Sequence, residues 1–425
     1  MAKLEENKQQ TENNSIQKVT LPEKVFIPLS QHLGKICAPL VSPGDRVLTG
    51  QKIASSEVKV FSPVHASLSG NVVAVEDWPH PVLGRSKAII IESDGKDSLF
   101  ATVKLSEKQV SALTPEQIRE KVFDSGIVGM GGAGFPSNIK LNPAKPLQAL
   151  IVNGAECEPF LTGDNRLMVE KTKEIILGIG LVAKAVGVKQ VFVAIEDNKP
   201  EAIKAFRRDL AGSDYKLKVL RSVYPQGGEK QLIKSVFGKE VPQGKLPFDV
   251  GALVHNIATV YAIYEAVYLG KPLYERVVTV TGDCLENPGN LLLRIGTPVK
   301  DLIKFCGPLK QEPKKIIFGG PMMGIAQYSL DTPVIKTTNG VMFLSEVQEK
   351  PLKNEVCIRC SRCVRECPAG LMPCMISMAS ENEKWDLAKD YGCLDCIECG
   401  LCTYVCPQER NIVQQIKLAK TRMTR

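Results

Sequence analysis

Residues 357–368 read CIRCSRCVRECP and residues 396–407 read CIECGLCTYVCP, so one cysteine pattern occurs twice. Each run has the spacing C-x2-C-x2-C-x3-C and ends in proline. Three thiolates at two-residue intervals can wrap one iron–sulfur cubane, while the fourth reaches a neighbouring cluster. The repeat therefore predicts two 4Fe-4S clusters whose ligands are exchanged between the runs: Cys357, Cys360, Cys363 and Cys406 for cluster 1, and Cys367, Cys396, Cys399 and Cys402 for cluster 2.

Zinc and disulfides are the alternative uses of so many cysteines. Zinc normally takes two C-x2-C pairs with a longer spacer, and a disulfide framework belongs to exported chains. The chain begins MAKLEENKQQTENNS, which lacks the basic start and apolar stretch of a secretory signal. Cys374 and Cys393 lie in the same region but outside the pattern, and they are predicted to be small buried hydrophobes.

Composition and length describe a globular chain of several domains. At roughly 150 residues per domain, 425 residues suggest about three domains. The chain has 44% hydrophobic and 24% charged residues and lacks the roughly 18 consecutive apolar residues of a membrane span. Its formal charge of +8 is dispersed, which is weak evidence for nucleic acid and fits an acidic protein partner or a membrane surface as well. We expect a cytoplasmic chain with no transmembrane segment of its own.

The N-terminal third predicts a short tail and a small all-β unit. Residues 1–22 are polar and are predicted to be a disordered tail, and residues 23–110 alternate short apolar strands with turns. The stretches ICAPLVSPGDRVLTGQKIA and VFSPVHASLSGNVVAVE resemble the two halves of a lipoyl-like barrel-sandwich domain. Lys59 lies between them, and because its neighbours carry no modification signature, it is predicted to be an unmodified lysine.

Downstream the pattern alternates strands and helices. The apolar runs at 148–154 and 189–197 are each followed by a helix-period stretch, the first of which is RLMVEKTKEIILGIGLVAKAV (166–186). KLKVLRSV and a helix from Glu229 repeat the unit, so a mostly parallel sheet covered by helices is predicted. Strands return in RVVTVTGD and KIIFGGPM, with one short helix between them, before the cysteine-rich helical module.

Two segments near the first parallel strand could bind a ligand. The glycine loop, residues 125–140, reads SGIVGMGGAGFPSNIK and would let backbone N–H groups approach a phosphate or a ring, although a structural turn would look the same. The acidic segment, residues 153–166, reads NGAECEPFLTGDNR and follows the strand directly. Ligands of open parallel sheets bind at that edge. Asn153, Glu156 and Glu158 could therefore serve as donor and acceptors for a heterocycle and ribose hydroxyls. A solvated loop is the alternative for isolated acidic residues.

These segments, with YPQGGEK (224–230) and VHNIATV (254–260), resemble the flavin- and NADH-binding fold of the complex I flavoprotein subunit. The segments QHLGKICAPLV and GDRVLTGQ come before them, and TGDCLENPGN, GGPMMG and the doubled cluster motif come after. In this order the chain resembles the RnfC family of the Rnf ion-translocating ferredoxin:NAD oxidoreductase complexes and related Rnf-like electron carriers. The resemblance runs from about residue 24 to the C-terminus.

The resemblance implies a multidomain α/β protein. Its expected parts are a barrel-sandwich hybrid at 23–110, an FMN/NADH-binding α/β domain at 111–272, a small β-grasp-like soluble-ligand-binding (SLBB) domain at 273–348 and a ferredoxin-type module with two 4Fe-4S clusters at 349–425. An extra thiol at Cys37, where the family has a small apolar residue, suits a redox carrier, and an inert buried cysteine is the alternative.

The resemblance also implies the cofactor-binding residues. In the flavoprotein family the glycine loop lies along FMN and NADH, a lysine at its end meets the flavin phosphate, and the acidic segment faces the isoalloxazine. Ala155 and Gly228 stand where complex I has acidic residues. No protein acid or base is expected to be catalytic. Carried over by position, the cofactor-binding residues are Gly129, Gly131, Gly132, Gly134, Phe135, Lys140, Asn153, Glu156, Glu158, Tyr224, Gly227, Glu229 and Asn256.

The function implied is that of an NADH-linked iron–sulfur flavoprotein oxidoreductase. It would pass electrons between a ferredoxin-like partner and NAD(H) through FMN and both clusters, as a peripheral subunit on the cytoplasmic face of the cell membrane beside the membrane subunits of a translocase. One alternative is a soluble carrier that delivers NADH electrons to an amino-acid (proline) reductase or a cobalamin reductase. A second is an iron–sulfur relay adaptor that binds no nicotinamide.

Overall fold

The structure is a computed structural model that describes residues 2–345 and 356–423. Along the chain it shows an all-β unit, an α/β domain, a second β-rich domain and a helical cysteine module. The multidomain α/β architecture predicted from the sequence is confirmed. In the described ranges, no helix combines the length and apolar character needed to cross a membrane.

The all-β unit consists of two antiparallel sheets around a shared apolar core. One sheet has the order β2-β8-β7-β4 and the other β3-β5-β6. Val25, Ile27, Ile89 and Ile91 alternate along paired strands and are fully buried, as expected when one face of a sheet covers a core. Its strands, with β1 preceding them, are β1 (Gln17–Lys18), β2 (Lys24–Pro28), β3 (Ala38–Pro39), β4 (Arg46–Val47), β5 (Lys52–Ser55), β6 (Val64–His65), β7 (Gly70–His80) and β8 (Gly84–Ser93).

The central domain is a four-stranded, all-parallel sheet of order β11-β10-β9-β12 with helices on both faces. Its elements are α1 (Glu107–Ala112), α2 (Pro115–Asp124), α3 (Ser137–Lys140), β9 (Ala149–Gly154), α4 (Gly163–Glu170), α5 (Thr172–Val186), β10 (Gln190–Glu196), α6 (Pro200–Asp209), β11 (Lys216–Leu220), α7 (Glu229–Phe237), a 3-10 turn (Pro247–Val250), β12 (Ala252–Asn256) and α8 (Ile257–Tyr268).

The helix-period stretch 166–186 forms two helices, because the chain breaks at Lys171. The Thr172 hydroxyl donates to the Met168 carbonyl oxygen at 2.6 Å, the acceptor that a continuous helix would give to the Thr172 amide. Helix α4 is therefore short, and its first residues, from Gly163, belong to the acidic segment.

The second β-rich domain has a six-stranded mixed sheet of order β1-β14-β13-β17-β15-β16. Its elements are β13 (Glu275–Thr281), β14 (Gly289–Arg294), α9 (Val299–Phe305), β15 (Lys315–Phe318), β16 (Ile325–Gln327) and β17 (Gly340–Leu344). The expected boundary between this domain and the cysteine module, at 348/349, lies outside the described residues.

The N-terminal segment, residues 2–22, is packed in the structure, whereas a disordered tail was predicted. Its strand β1 pairs in parallel with β14. The Asn290 amide donates to the carbonyl oxygens of Thr11 at 2.9 Å and Asn14 at 3.3 Å. Composition misled the prediction because polar side chains such as Lys8 and Thr11 are buried against polar partners of the folded domains rather than in an apolar core.

The cysteine module packs short helices around its own core. Helix α11 lies against α14, and Ile376 and Ile416 are fully buried between them. The helices are α10 (Arg362–Arg365), α11 (Pro373–Glu381), α12 (Trp385–Asp390), α13 (Leu401–Tyr404) and α14 (Ile412–Met423), with a 3-10 turn at Cys393–Asp395.

Candidate functional site

The carboxyl ends of β9 and β12 bring Asn153 and Asn256 side by side. The Asn153 amide donates to the Gly227 carbonyl oxygen at 3.0 Å, which attaches residues 224–230 to the sheet edge. Asn256 caps α8 by accepting from the Ala258 amide at 2.9 Å. The Asn256 cap satisfies amides at the start of α8, and the Asn153 contact fixes the backbone at Gly227. The two asparagines therefore organise the floor of the site.

The glycine loop lies directly on this floor. The Met130 amide donates to the Thr259 hydroxyl at 2.9 Å, and a Cβ added at Gly131 would lie 2.8 Å from the Asn256 Cβ. At Gly132, by contrast, an added Cβ would meet nothing within 4 Å. Gly134 has a φ of +70°, which favours glycine. The loop thus rests on Asn256 and leaves backbone open at Gly132.

Lys140, at the end of the glycine loop, pairs with Glu229 at the start of α7. The Lys140 ammonium lies 2.8 Å from a Glu229 carboxylate oxygen, and both side chains are partly exposed. His255 lies buried near this pair. Burial, reinforced by the positive charge of Lys140, lowers the pKa of His255 to about 3, so this imidazole is neutral.

The two acidic-segment carboxylates are held by protein groups. Glu156 accepts from the amides of Asp164 at 2.9 Å and Asn165 at 3.2 Å, at the N-terminus of α4. Glu158 accepts from the amides of Met322 at 3.1 Å and Met323 at 2.9 Å. Burial raises the pKa of both carboxyl groups. Both carboxylates therefore help to hold the site together, and their contact with a flavin stays a prediction.

Buried polar atoms without a partner test whether the site fits FMN. Buried polar atoms in folded proteins normally have hydrogen-bond partners. Among the described residues, the atoms without one include Ser137 Oγ, Asn165 Oδ1, Gln231 Oε1 and His255 Nε2. Each belongs to, or adjoins, one of the four segments that the resemblance assigns to the flavin site. The amide oxygens of Asn165 and Gln231 can only accept hydrogen bonds, whereas the Ser137 hydroxyl can also donate. Together with the open backbone at Gly132, these atoms fit a polar ligand that carries both donors and acceptors, as FMN does.

The eight repeated cysteines surround two separate cavities. The cluster-1 cavity is lined by Cys357, Cys360, Cys363 and Cys406. The cluster-2 cavity is lined by Cys367, Cys396, Cys399 and Cys402. The structure thus groups the cysteines as the exchanged-ligand pattern predicts. No group of His, Cys, Asp or Glu within the described residues is arranged to hold a single metal ion. Sets of four thiols around such cavities suit larger clusters.

The structure places the two additional cysteines differently. Cys374 lines the cluster-1 cavity as a fifth cysteine. Cys393 is fully buried, as expected for a small hydrophobe, with its thiol 4.0 Å from the Met423 sulfur. Spacing could not identify Cys374, because it belongs to α11 and reaches the cavity only through tertiary packing.

The cluster-2 cavity adjoins the central domain through Tyr224. The Tyr224 hydroxyl donates to the Cys399 carbonyl oxygen at 2.9 Å and lies 3.4 Å from the Glu158 carboxylate. Gly400 has a φ of +78°, and a Cβ there would lie 2.6 Å from the Met322 carbonyl oxygen. One peptide stretch of the cysteine module therefore packs directly against residues of the predicted flavin site. We call this contact the junction.

Comparison with known families matches every part of this architecture. Residues 2–96 match the RnfC barrel sandwich hybrid domain, and residues 122–265 match the Nuo51 FMN-binding domain. Residues 277–326 match the SLBB domain. The 4Fe-4S binding domain matches residues 354–370 and 394–411, which contain all eight repeated cysteines. The FMN and 4Fe-4S assignments made from the sequence are thereby confirmed at the level of domains.

A solved structure has a similar fold. An NAD+-reducing [NiFe]-hydrogenase in the air-oxidized state superposes with a TM-score of 0.52 at 20% identity, over 72% of this chain and 66% of that one. At this identity the match shows a shared fold.

Relatives match almost end to end. The chain is 44% identical over 420 residues to the RnfC component of the proton-translocating ferredoxin:NAD(+) oxidoreductase complex of Clostridium ljungdahlii, covering 98% of this chain and 92% of the relative. It is 43% identical over 403 residues to the corresponding component of the Na(+)-translocating complex of Acetobacterium woodii, covering 94% and 90%. The chain therefore belongs to the RnfC family of Rnf complex subunits.

Proposed function

We propose that the chain is an electron-transfer subunit linking NAD(H) to an iron–sulfur partner within an Rnf-type complex. The observation that carries this proposal is the junction. Tyr224 joins the Cys399 backbone to Glu158, so a predicted cluster ligand and a predicted flavin-site residue contact the same side chain. Both named relatives are components of ferredoxin:NAD(+) oxidoreductase complexes, which supports the same role.

The cofactors would supply the redox chemistry, since a bound flavin can exchange a hydride with a nicotinamide and single electrons with iron–sulfur clusters. The residues of this chain would bind the cofactors and fix their orientation. We assign the flavin phosphate to the region of Lys140 and the open backbone at Gly132 of the glycine loop. Asn153 would hold the 224–230 segment at the sheet edge, and Asn256 would support the glycine loop. No side chain needs to move a proton for this function.

The two cavities have different surroundings, which suggests separate roles. The cluster-2 cavity faces the junction, and Cys399 is buried in contact with Tyr224 and Leu401. At the cluster-1 cavity, Cys360 is exposed, and Val356 and Ile358 are 80% and 59% exposed. Exposed apolar side chains beside a redox centre suit a transient protein contact. We therefore assign cluster 2 to the flavin side and cluster 1 to the partner side.

A peripheral position on the cytoplasmic face of the cell membrane follows from this role. The relatives are named as parts of translocating complexes, whereas the described part of this chain has no membrane-crossing helix. The chain would then be retained by membrane subunits. Gentle anaerobic membrane preparation should recover it with such subunits. Recovery with a soluble amino-acid or cobalamin reductase, and without membrane subunits, would replace the Rnf assignment by the soluble carrier.

Changing Lys140 to methionine should weaken flavin retention. The ammonium at the end of the glycine loop is the phosphate's expected charge partner, and a hydrogen bond to a charged group contributes about 1.5–3 kcal/mol. We expect flavin affinity to fall about 10- to 150-fold. Flavin content after anaerobic gel filtration measures the effect.

Lys145→Met provides the control for this change. Lys145 is five residues away and pairs with Asp249 at 2.6 Å, on the surface of the same domain. Equal flavin content in Lys140→Met and Lys145→Met would show that Lys140 does not bind the flavin phosphate.

A further inference from the structure

The N-terminal segment, residues 2–22, runs across the acidic segment, and its first described residue, Ala2, lies at the junction. The backbone of Ala2 exchanges hydrogen bonds with Tyr224, at 3.0 Å and 2.7 Å. The Phe160 amide donates to the Glu6 carbonyl oxygen at 2.8 Å, and the Thr11 and Thr162 hydroxyls lie 2.8 Å apart. Ala2 and Leu4 also pack with Cys399 and Leu401 in one apolar cluster. The segment therefore contacts both the predicted flavin site and the cluster-2 cavity.

Lys8 is the centre of this contact. Its ammonium donates to the carbonyl oxygens of Glu156 at 2.9 Å and Glu158 at 3.0 Å, and also to that of Leu161. The side chain is only 6% exposed. Burial lowers the pKa of Lys8, and the negative charge of Glu156 opposes that shift. An ammonium has three donors, and here all three are used on one stretch of backbone.

We propose that Lys8 is a positioning residue for the flavin site. By binding three carbonyl oxygens of residues 156–161, its ammonium holds the backbone that places Glu156 against α4 and Glu158 against residues 322 and 323. This inference rests on the proposed function. Lys8 acts through the acidic segment, which the resemblance places against the isoalloxazine.

The contacts distinguish this role from simple packing. A methionine could fill much of the space of Lys8, yet it would leave three buried carbonyl oxygens without their donor. It would also remove a buried positive charge beside Glu156. A reduced flavin carries more negative charge than an oxidised one. Loss of the ammonium should therefore disfavour flavin reduction and misplace the acidic segment, which the resemblance places against the isoalloxazine.

The test compares full-length, FMN-loaded Lys8→Met with wild type. Spectroelectrochemistry gives the flavin midpoint potential, and ferricyanide reduction gives kcat and KM for NADH. We expect a lower midpoint potential and about a tenfold loss in kcat/KM, the effect of roughly 1.4 kcal/mol. Lys3→Met removes the same charge from an exposed position of the same segment and should match wild type.

Wild-type potential and kinetics in Lys8→Met would overturn the proposal. If Lys8→Met does not fold, Lys8→Arg decides, because arginine keeps the charge but changes the donor geometry. An altered potential or KM in Lys8→Arg supports positioning, and unchanged values refute it. Failure of wild-type flavin to react with NADH would instead refute the proposed function. Potentials measured with dithionite would still test Lys8 in that case.

Discussion

Replacing Cys406 with alanine should remove the cluster predicted at Cys357, Cys360 and Cys363, although Cys406 is 43 to 49 positions away and belongs to the other cysteine run. The reason is the exchanged ligand set, since Cys406 lines the cluster-1 cavity with those three cysteines. We expect the iron content of the anaerobically purified protein to fall from about eight to about four atoms per chain. Only the cluster-1 signal should be lost from the electron paramagnetic resonance spectrum.

Cys374 complicates the interpretation of the Cys406→Ala variant. Because it also lines the cluster-1 cavity, it could replace the missing thiolate, and the double change Cys406→Ala with Cys374→Ala removes that possibility. Cys393→Ala is the matched control, because this cysteine is buried in the same module but lines neither cavity. Loss of the cluster held by Cys396, Cys399 and Cys402 in Cys406→Ala would refute the exchanged assignment.

Changing Gly400 to valine should disconnect the cysteine module from the flavin site. Gly400 lies between the predicted cluster ligand Cys399 and Leu401, with a φ of +78°. A Cβ there would lie 2.6 Å from the Met322 carbonyl oxygen, so the junction must open. We expect NADH-dependent reduction of the clusters to slow at least about tenfold, the effect of roughly 1.4 kcal/mol on a barrier. Flavin bleaching by NADH should continue.

Gly370→Val is the control that distinguishes an effect of opening the junction from an effect of backbone strain. Gly370 follows the other cysteine run and has a similar φ of +67°, but an added Cβ there meets nothing within 4 Å. At either position, valine is forced into the left-handed backbone region, which costs roughly 1–2 kcal/mol of folding free energy. Only Gly400→Val should affect electron transfer at the junction. Equal rates of cluster reduction in the two variants would show that the junction does not carry the coupling.

Sequence was most informative where the chemistry depends on local spacing. The exchanged cysteine sets could be proposed because three ligands of each cluster lie within seven residues and the fourth follows from the paired pattern. The parallel sheet was likewise evident, because each apolar strand is followed directly by a helix-period stretch. The position of the acidic segment at the carboxyl edge then followed from the fold.

Sequence was least informative where contacts join distant parts of the chain. Polar composition suggested that Lys8 belongs to a disordered tail, but its three acceptors lie about 150 residues away. Cys374 approaches cluster 1 through helix packing, and Tyr224 meets Cys399 across 175 positions. Glu156 and Glu158 were predicted as site residues, yet their partners at α4 and at residues 322 and 323 could not be inferred from spacing.

Anaerobic addition of NADH to the purified chain, with flavin absorbance and cluster paramagnetic resonance recorded together, tests directly whether electrons pass from the nicotinamide through the flavin to the clusters. We expect NADH to bleach the flavin and both clusters to become reduced in the same sample, without any added partner. A flavin that NADH does not bleach, in protein that retains both clusters, would contradict this expectation and leave an iron–sulfur relay adaptor as the function.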